Sequence, residues 1–201
     1  MIHLLYKDLY LTRKTILLYL LIGLLLQFNP SMTPIFIFFI TYGVLAKTEL
    51  TEEKYEGYTL LSTLPVSKST LVISKYLLGL LIVGLATTYT LILQLWINNL
   101  SGIAVSTILG IAAATLIVNG FLLLLSYKYG ATRAITYFRI IVLSLFLIPW
   151  LLQISLGLPG EELILWASSL QASVMTILIL SLIAYGVLML ISINTFKKRM
   201  S

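Results

Sequence analysis

The sequence predicts an all-α membrane protein. Six transmembrane helices are expected, with an N-terminal interfacial helix and a further cytoplasmic helix between spans two and three. Three observations carry this reading. Of 201 residues, 60% are hydrophobic and only 10% charged, against about 25% charged in a soluble domain, and mean hydropathy is +1.05. Apolar runs long enough to cross a bilayer, about 20 residues, recur along the whole length, so residues 1–201 read as a single transmembrane domain without a soluble appendage. All thirteen Lys and Arg fall on one side once six spans are drawn.

Residues 1–14, MIHLLYKDLYLTRK, read as the interfacial helix. Ile2, Leu5, Leu9 and Thr12 lie on one side, with Leu4, Tyr6 and Tyr10 nearby, and Lys7, Asp8, Arg13 and Lys14 are expected at the headgroups. A disordered basic tail is the plainer alternative. A cleaved signal peptide fits poorly, because the apolar run starts only after Lys14 and no clean small-residue cleavage site follows. Residues 15–47 form a hairpin of spans one and two, broken by NPSMTP at Asn29–Pro34. Each of its crossings has about 24 Å or less, short of a ~30 Å hydrocarbon core. Residues 48–68 are a polar segment. Residues 69–201 supply Leu71–Ile97, Ile103–Ser126, Ala134–Leu156 and Leu163–Ile193 as spans three to six, then a basic tail.

Charge sets the topology. Lys7, Arg13 and Lys14 precede span one. Lys47, Lys54, Lys68 and Lys75 lie between spans two and three. Lys128 and Arg133 separate spans four and five, with Arg139 just inside span five, and Lys197, Lys198 and Arg199 close the chain. The connections Asn29–Thr33, Asn98–Gly102 and Gly157–Glu162 hold none. The positive-inside rule makes the basic side cytoplasmic, with both termini there, as in a multi-pass protein of the cell membrane. The net charge of +6 therefore points to topology, and no nucleic-acid partner is expected.

The spans lack the groups that intramembrane chemistry needs. No ionisable residue is expected deep in a span, although proton relays and intramembrane catalysis require such groups. With His3 the only histidine and no cysteine, neither a typical zinc site nor a Ser–His–acid set can form. No catalytic or metal-binding residue is expected. Gln27, Gln94, Asn119 and Gln153 are the neutral polar groups of the spans. They read as hydrogen-bonding groups between helices, or as the weakly polar lining of a translocation path. Gly79, Gly84, Gly110 and Gly120 read as close-packing positions, and GIAAAT at Gly110–Thr115 as a tight helix contact or subunit interface. Energy for uphill transport would then have to arrive from outside the bilayer.

That directs attention to the polar segment. On a helix, Glu49, Glu52, Glu53 and Glu56 share one face, expected to point outward. Thr48 or Thr51 can cap it. Leu60, Leu61 and Leu64 add an apolar patch, Gly57 permits close approach, Pro65 ends the segment, and Ser67 can cap span three. An ordinary solvated loop helix is one reading; a docking element for a cytoplasmic protein is the other.

The residues Glu56, Gly57 with Thr59, Leu64-Pro65-Val66-Ser67 and Lys75 resemble the permease subunits of ABC-2 type exporters, and the topology resembles them along the whole chain. The resemblance implies that the segment is a coupling helix, docking an ABC ATPase through Glu52, Glu53, Glu56, Gly57, Tyr58, Leu64, Pro65 and Ser67. It implies a second, smaller cytoplasmic contact at KYGATR, through Tyr129, Gly130 and Arg133. ATP and Mg would be bound by the partner ATPase, since this chain has no GxxxxGK[ST] loop. A second permease chain, identical to the first or similar to it, would complete the transporter. The external LGLPGEEL stretch, where such permeases carry re-entrant helices, is brief here. The expected cargo is amphipathic or hydrophobic, a peptide or antimicrobial among the candidates. A six-span substrate-binding subunit of a vitamin-uptake complex and a membrane immunity or scaffold protein are the alternatives.

Overall fold

A computed structural model of the chain describes residues 2–26, 33–55, 67–98, 102–156 and 174–199. Among these residues there are six helices and no strand: α1 (Ile2–Leu26), α2 (Thr33–Lys54), α3 (Lys68–Asn98), α4 (Gly102–Tyr129), α5 (Ala131–Leu156) and α6 (Val174–Arg199). Three described stretches are long and apolar enough to cross a membrane, Lys68–Trp96, Val105–Tyr129 and Met175–Lys198.

The helix ends follow local chemistry. Pro34 stands in the first turn of α2, where a missing N–H costs nothing. Ser67 caps α3: its Oγ accepts from the Thr70 N–H at 3.2 Å, as expected. Gly130 separates α4 from α5 at φ 90°, a left-handed conformation that favours glycine. Its N–H closes α4 on Ser126 O at 2.9 Å, and its carbonyl opens α5 by accepting from Ala134 N at 3.0 Å.

Two expected helix boundaries are absent. The N-terminal segment is not a separate interfacial helix, because α1 runs unbroken from Ile2 through Lys14 to Leu26. No Gly or Pro interrupts it before Gly23, so nothing in the backbone ends it there. Likewise Thr48–Lys54 does not start a new helix; it is the last part of α2. Thr48 and Thr51 cap nothing, since their hydroxyls donate back to Leu45 O and Lys47 O within α2.

α4 packs against α2, α3, α5 and, most extensively, α6. The core forms where α2, α3 and α4 meet: Phe36, Ile37, Val44, Leu45, Val72, Leu78, Leu122 and Leu123 are all buried. Polar bonds join α3, α4 and α6. Tyr76 donates to Gly120 O at 2.9 Å and accepts from Ser192 Oγ at 2.7 Å, while Tyr185 donates to Tyr76 O at 2.8 Å. The close approach needs Gly79 and Gly120, where an added Cβ would stand 2.5 Å from Tyr185 Oη and 2.8 Å from its ring. Gly84 and Gly110 face open space instead. Of the GIAAAT run, Ala112, Ala113 and Thr115 are buried.

The outward faces are apolar. Leu17, Leu18, Leu21 and Leu25 of α1 are exposed, as are Ile179, Leu180, Ile183 and Leu190 of α6. A helix buried on one side yet apolar on the other needs apolar surroundings, which a bilayer supplies.

Candidate functional site

Contacts place the N-terminal parts of α1, α3 and α5 and the C-terminal parts of α2, α4 and α6 at one end of the bundle. Lys7 meets Glu52, Glu52 meets Lys75, Glu53 meets Thr132, and Tyr127 packs on Phe196. The helices therefore alternate up and down.

At this end lies a buried ionic cluster. Lys75, only 3% exposed, stands 3.0 Å from Asp8 Oδ2 of α1 and 3.0 Å from Glu52 Oε1 of α2. Lys7, on the rim, reaches Glu52 Oε1 at 2.6 Å and Asp8 Oδ1 at 3.4 Å. Asp8 and Glu52 are themselves buried. Glu49, one turn before Glu52 and also buried, lies within electrostatic reach of Lys75 and Tyr127. Burial pushes the Glu52 carboxyl up, but Lys75 and Lys7 outweigh it and hold the group below its ordinary 4.5. A cavity of about 10 Å³, bounded in part by Asp8, Glu52, Lys75 and Tyr127, lies among these side chains. That is room for about one water. Among the described residues no group of three or more acids or histidines could hold a metal ion.

The cluster corrects three expectations. Asp8 does not face headgroups; it turns inward because Lys75 offers it a partner. The acidic stripe does not point outward as a unit, because α2 continues through it and turns Glu49 and Glu52 into the bundle, leaving Glu53 exposed. Lys75 is not a loop cation, since it sits two turns inside α3.

Glu53 makes a second link. Its Oε2 accepts from the Thr132 backbone N–H at 2.6 Å and from Thr132 Oγ1 at 2.8 Å. A carboxylate thus caps the first turn of α5, where the helix dipole favours negative charge. The two sequence-predicted contact regions therefore touch. Tyr129 and Arg133 flank this corner, both exposed, and Gly130 makes its turn. Tyr129 packs its ring against Tyr137 at 5.7 Å.

Other expected site residues fall apart. Glu56, Gly57, Tyr58, Leu64 and Pro65 lie outside the described residues, as do Gln27 and the LGLPGEEL stretch beyond its first residue, Leu156; Gln153 is described in backbone only. Gln94 and Asn119 are both buried but at different levels. Asn119 neighbours Gly120, opposite Tyr76 of α3, whereas Gln94 lies about 27 Å further along α3. Among the described residues neither amide atom of Asn119 has a hydrogen-bond partner.

Sequence reading missed Lys7, Asp8, Glu49 and Lys75 as site residues. A signal existed for one of them. A lysine within the apolar run LVISKYLLGLL must reach water or find an acid.

The chain matches, over residues 3–197, the family described as ABC-2 family transporter protein. No curated protein and no solved structure matches it.

Proposed function

The chain belongs to the ABC-2 transporter family, and on that premise we propose that it is the permease of an ATP-driven exporter. Membership makes it a multi-pass membrane component that works with a separate ABC ATPase subunit. The finer reading is ours. The charged end of the bundle is cytoplasmic, following the positive-inside rule, and six helices span the bilayer. The ATPase, which carries ATP and Mg, docks on the segment between Tyr55 and Ser67 and on the Tyr129–Arg133 corner. A second copy of the chain completes the path. The cargo is amphipathic or hydrophobic, peptides included.

One observation supports this most. Glu52 and Glu53, in the last turn of α2 before the docking segment, tie that turn to α1, α3 and α5 at once. A push delivered to the segment would therefore reach four helices. The test is co-expression with the ABC ATPase that serves this permease. Glu56→Lys and Gly57→Trp are expected to abolish ATPase co-purification while the permease still inserts. ATPase recovery equal to wild type in both variants would remove the docking assignment.

A further inference from the structure

We propose that Lys75, Asp8 and Glu52 form a latch that holds the end of α2 against α1 and α3 without nucleotide and opens when the docked ATPase binds ATP. The proposal rests on the docking reading above and adds the positioning residues through which docking acts.

Three features point to a latch rather than a fixed strut. First, Lys75 is shared. Its ammonium stands at the same 3.0 Å from an acid of α1 and an acid of α2, so one side chain joins three helices. Second, the cluster is incompletely satisfied. Among the described residues Glu52 Oε2 is buried without a hydrogen-bond partner and Asp8 Oδ1 has only the long 3.4 Å ion-pair contact from Lys7 Nζ, and the adjoining cavity has room for about one water. A buried ion pair offsets its desolvation only when its remaining lone pairs are bonded. Water admitted on opening would satisfy those oxygens, which lowers the cost of parting the helices here. Third, the latch is placed at the point of input. Glu52 lies one turn before Tyr55, where the described part of α2 gives way to the docking segment. Lys7, 36% exposed on the rim, offers Glu52 a second cation and gives water a way in.

Among the described residues, charged groups from three helices meet here. Lys7 and Asp8 come from α1, Glu49 and Glu52 from α2, and Lys75 from α3, with the Tyr127 phenol of α4 alongside. These three acids and two lysines are not a metal site; the two ammonium groups are the cations of the cluster. Elsewhere α3 is held to α4 and α6 by neutral hydroxyl–carbonyl bonds. Motion of α2 against α1 and α3 would therefore part the bundle at the latch first.

The chain contains no cysteine, so Tyr6→Cys on α1 and Lys54→Cys on α2, introduced in one of the two permease copies, place two unique spin labels on exposed positions beside the cluster. The full complex, with a cysteine-free form of the ATPase, is reconstituted in lipid nanodiscs. The inter-label distance is read by pulsed electron resonance, without nucleotide and with ATP trapped by vanadate. The distance is expected to lengthen on trapping. Lys75→Met is expected to show the longer distance already without nucleotide, Glu52→Gln to shift part of the population the same way, and Lys75→Arg to restore the nucleotide response. Glu52→Gln keeps side-chain volume and serves if Lys75→Met does not fold. A distance that nucleotide leaves unchanged while the ATPase stays bound overturns the latch and spares the docking reading. So does a resting distance in the folded variants equal to wild type. An ATPase that fails to bind the unmodified chain overturns both.

Discussion

At the charged end of the bundle, α1, α2 and α3 are joined by ammonium–carboxylate pairs around Lys75. From the very next residue, on the side of α3 that faces α4 and α6, those three helices are joined by Tyr76, Tyr185 and Ser192 bonding to one another and to backbone carbonyls. The first arrangement tolerates water, because its groups stay charged and soluble if the helices part. The second does not depend on water, because each donor already has an acceptor within the protein. The molecule can rearrange on one side of α3 and stays fixed on the other. Neutral bonds over close-packed glycines hold the side toward α4 and α6, and charges hold the side toward α1 and α2.

The largest expected effect breaks the comparison at the charged end. Lys75→Met leaves Asp8 and Glu52 buried with only Lys7 to meet them. Removing one partner of a buried pair costs about 3–5 kcal/mol. Tyr185→Phe, on the neutral side of α3, removes one hydroxyl bond and should cost about 1 kcal/mol, since the Tyr76 carbonyl keeps its place in the helix. Thermal unfolding in detergent distinguishes the two. Equal shifts would mean that the ion pairs contribute no more than a neutral bond.

Acidification sharpens the same contrast. The folded-state pKa of Glu52 is lowered, because Lys75 and Lys7 outweigh its burial. Its contribution to stability is therefore complete above the ordinary value of 4.5 and is lost as pH falls through the folded value. Melting temperature should drop on acidification below pH 4.5, and Glu52→Gln should flatten that part of the profile. Tyr185→Phe should leave the slope unchanged, since a phenol does not titrate in that range. A Glu52→Gln profile as steep as wild type would assign the acid sensitivity to other carboxylates.

Much of the architecture was legible. Sided lysines and arginines anticipated the common end of the helices, and Ser67 the start of α3. The family was legible in Glu56, Gly57, Thr59, Leu64-Pro65-Val66-Ser67 and Lys75, taken with the topology along the whole chain. The ionic cluster was harder. On α1, Leu5, Asp8, Leu9 and Thr12 share a helical face, so spacing alone does not say whether Asp8 goes with the apolar residues or away from them. Only Lys75, on another helix, decides it. The acids of α2 posed the same problem. Periodicity put Glu49, Glu52 and Glu53 on one side, but the helix packs between α1, α3 and α5, so neighbouring carboxylates meet different partners. Continuity of α1 was legible in principle, since no glycine or proline follows Lys14 before Gly23. The change from charged to apolar composition suggested a break that the backbone has no reason to make.

The smallest effect tests whether charge matters at this end even where it is exposed. Glu53 accepts two bonds from Thr132, one from a backbone N–H in the first turn of α5. Glu53→Gln keeps an acceptor oxygen and the side-chain volume and removes only the charge. A carboxylate near a helix N-terminus contributes about 0.3–1 kcal/mol, and salt screens it. Glu53→Gln should therefore lower the melting temperature slightly in low salt and approach wild type in high salt. Lys75→Met, whose cost arises from burial, should stay destabilised at both. If Glu53→Gln is equally impaired at high salt, the link is a matter of bond geometry, and α2 is held to α5 by the neutral kind of contact that joins α3 to α4 and α6.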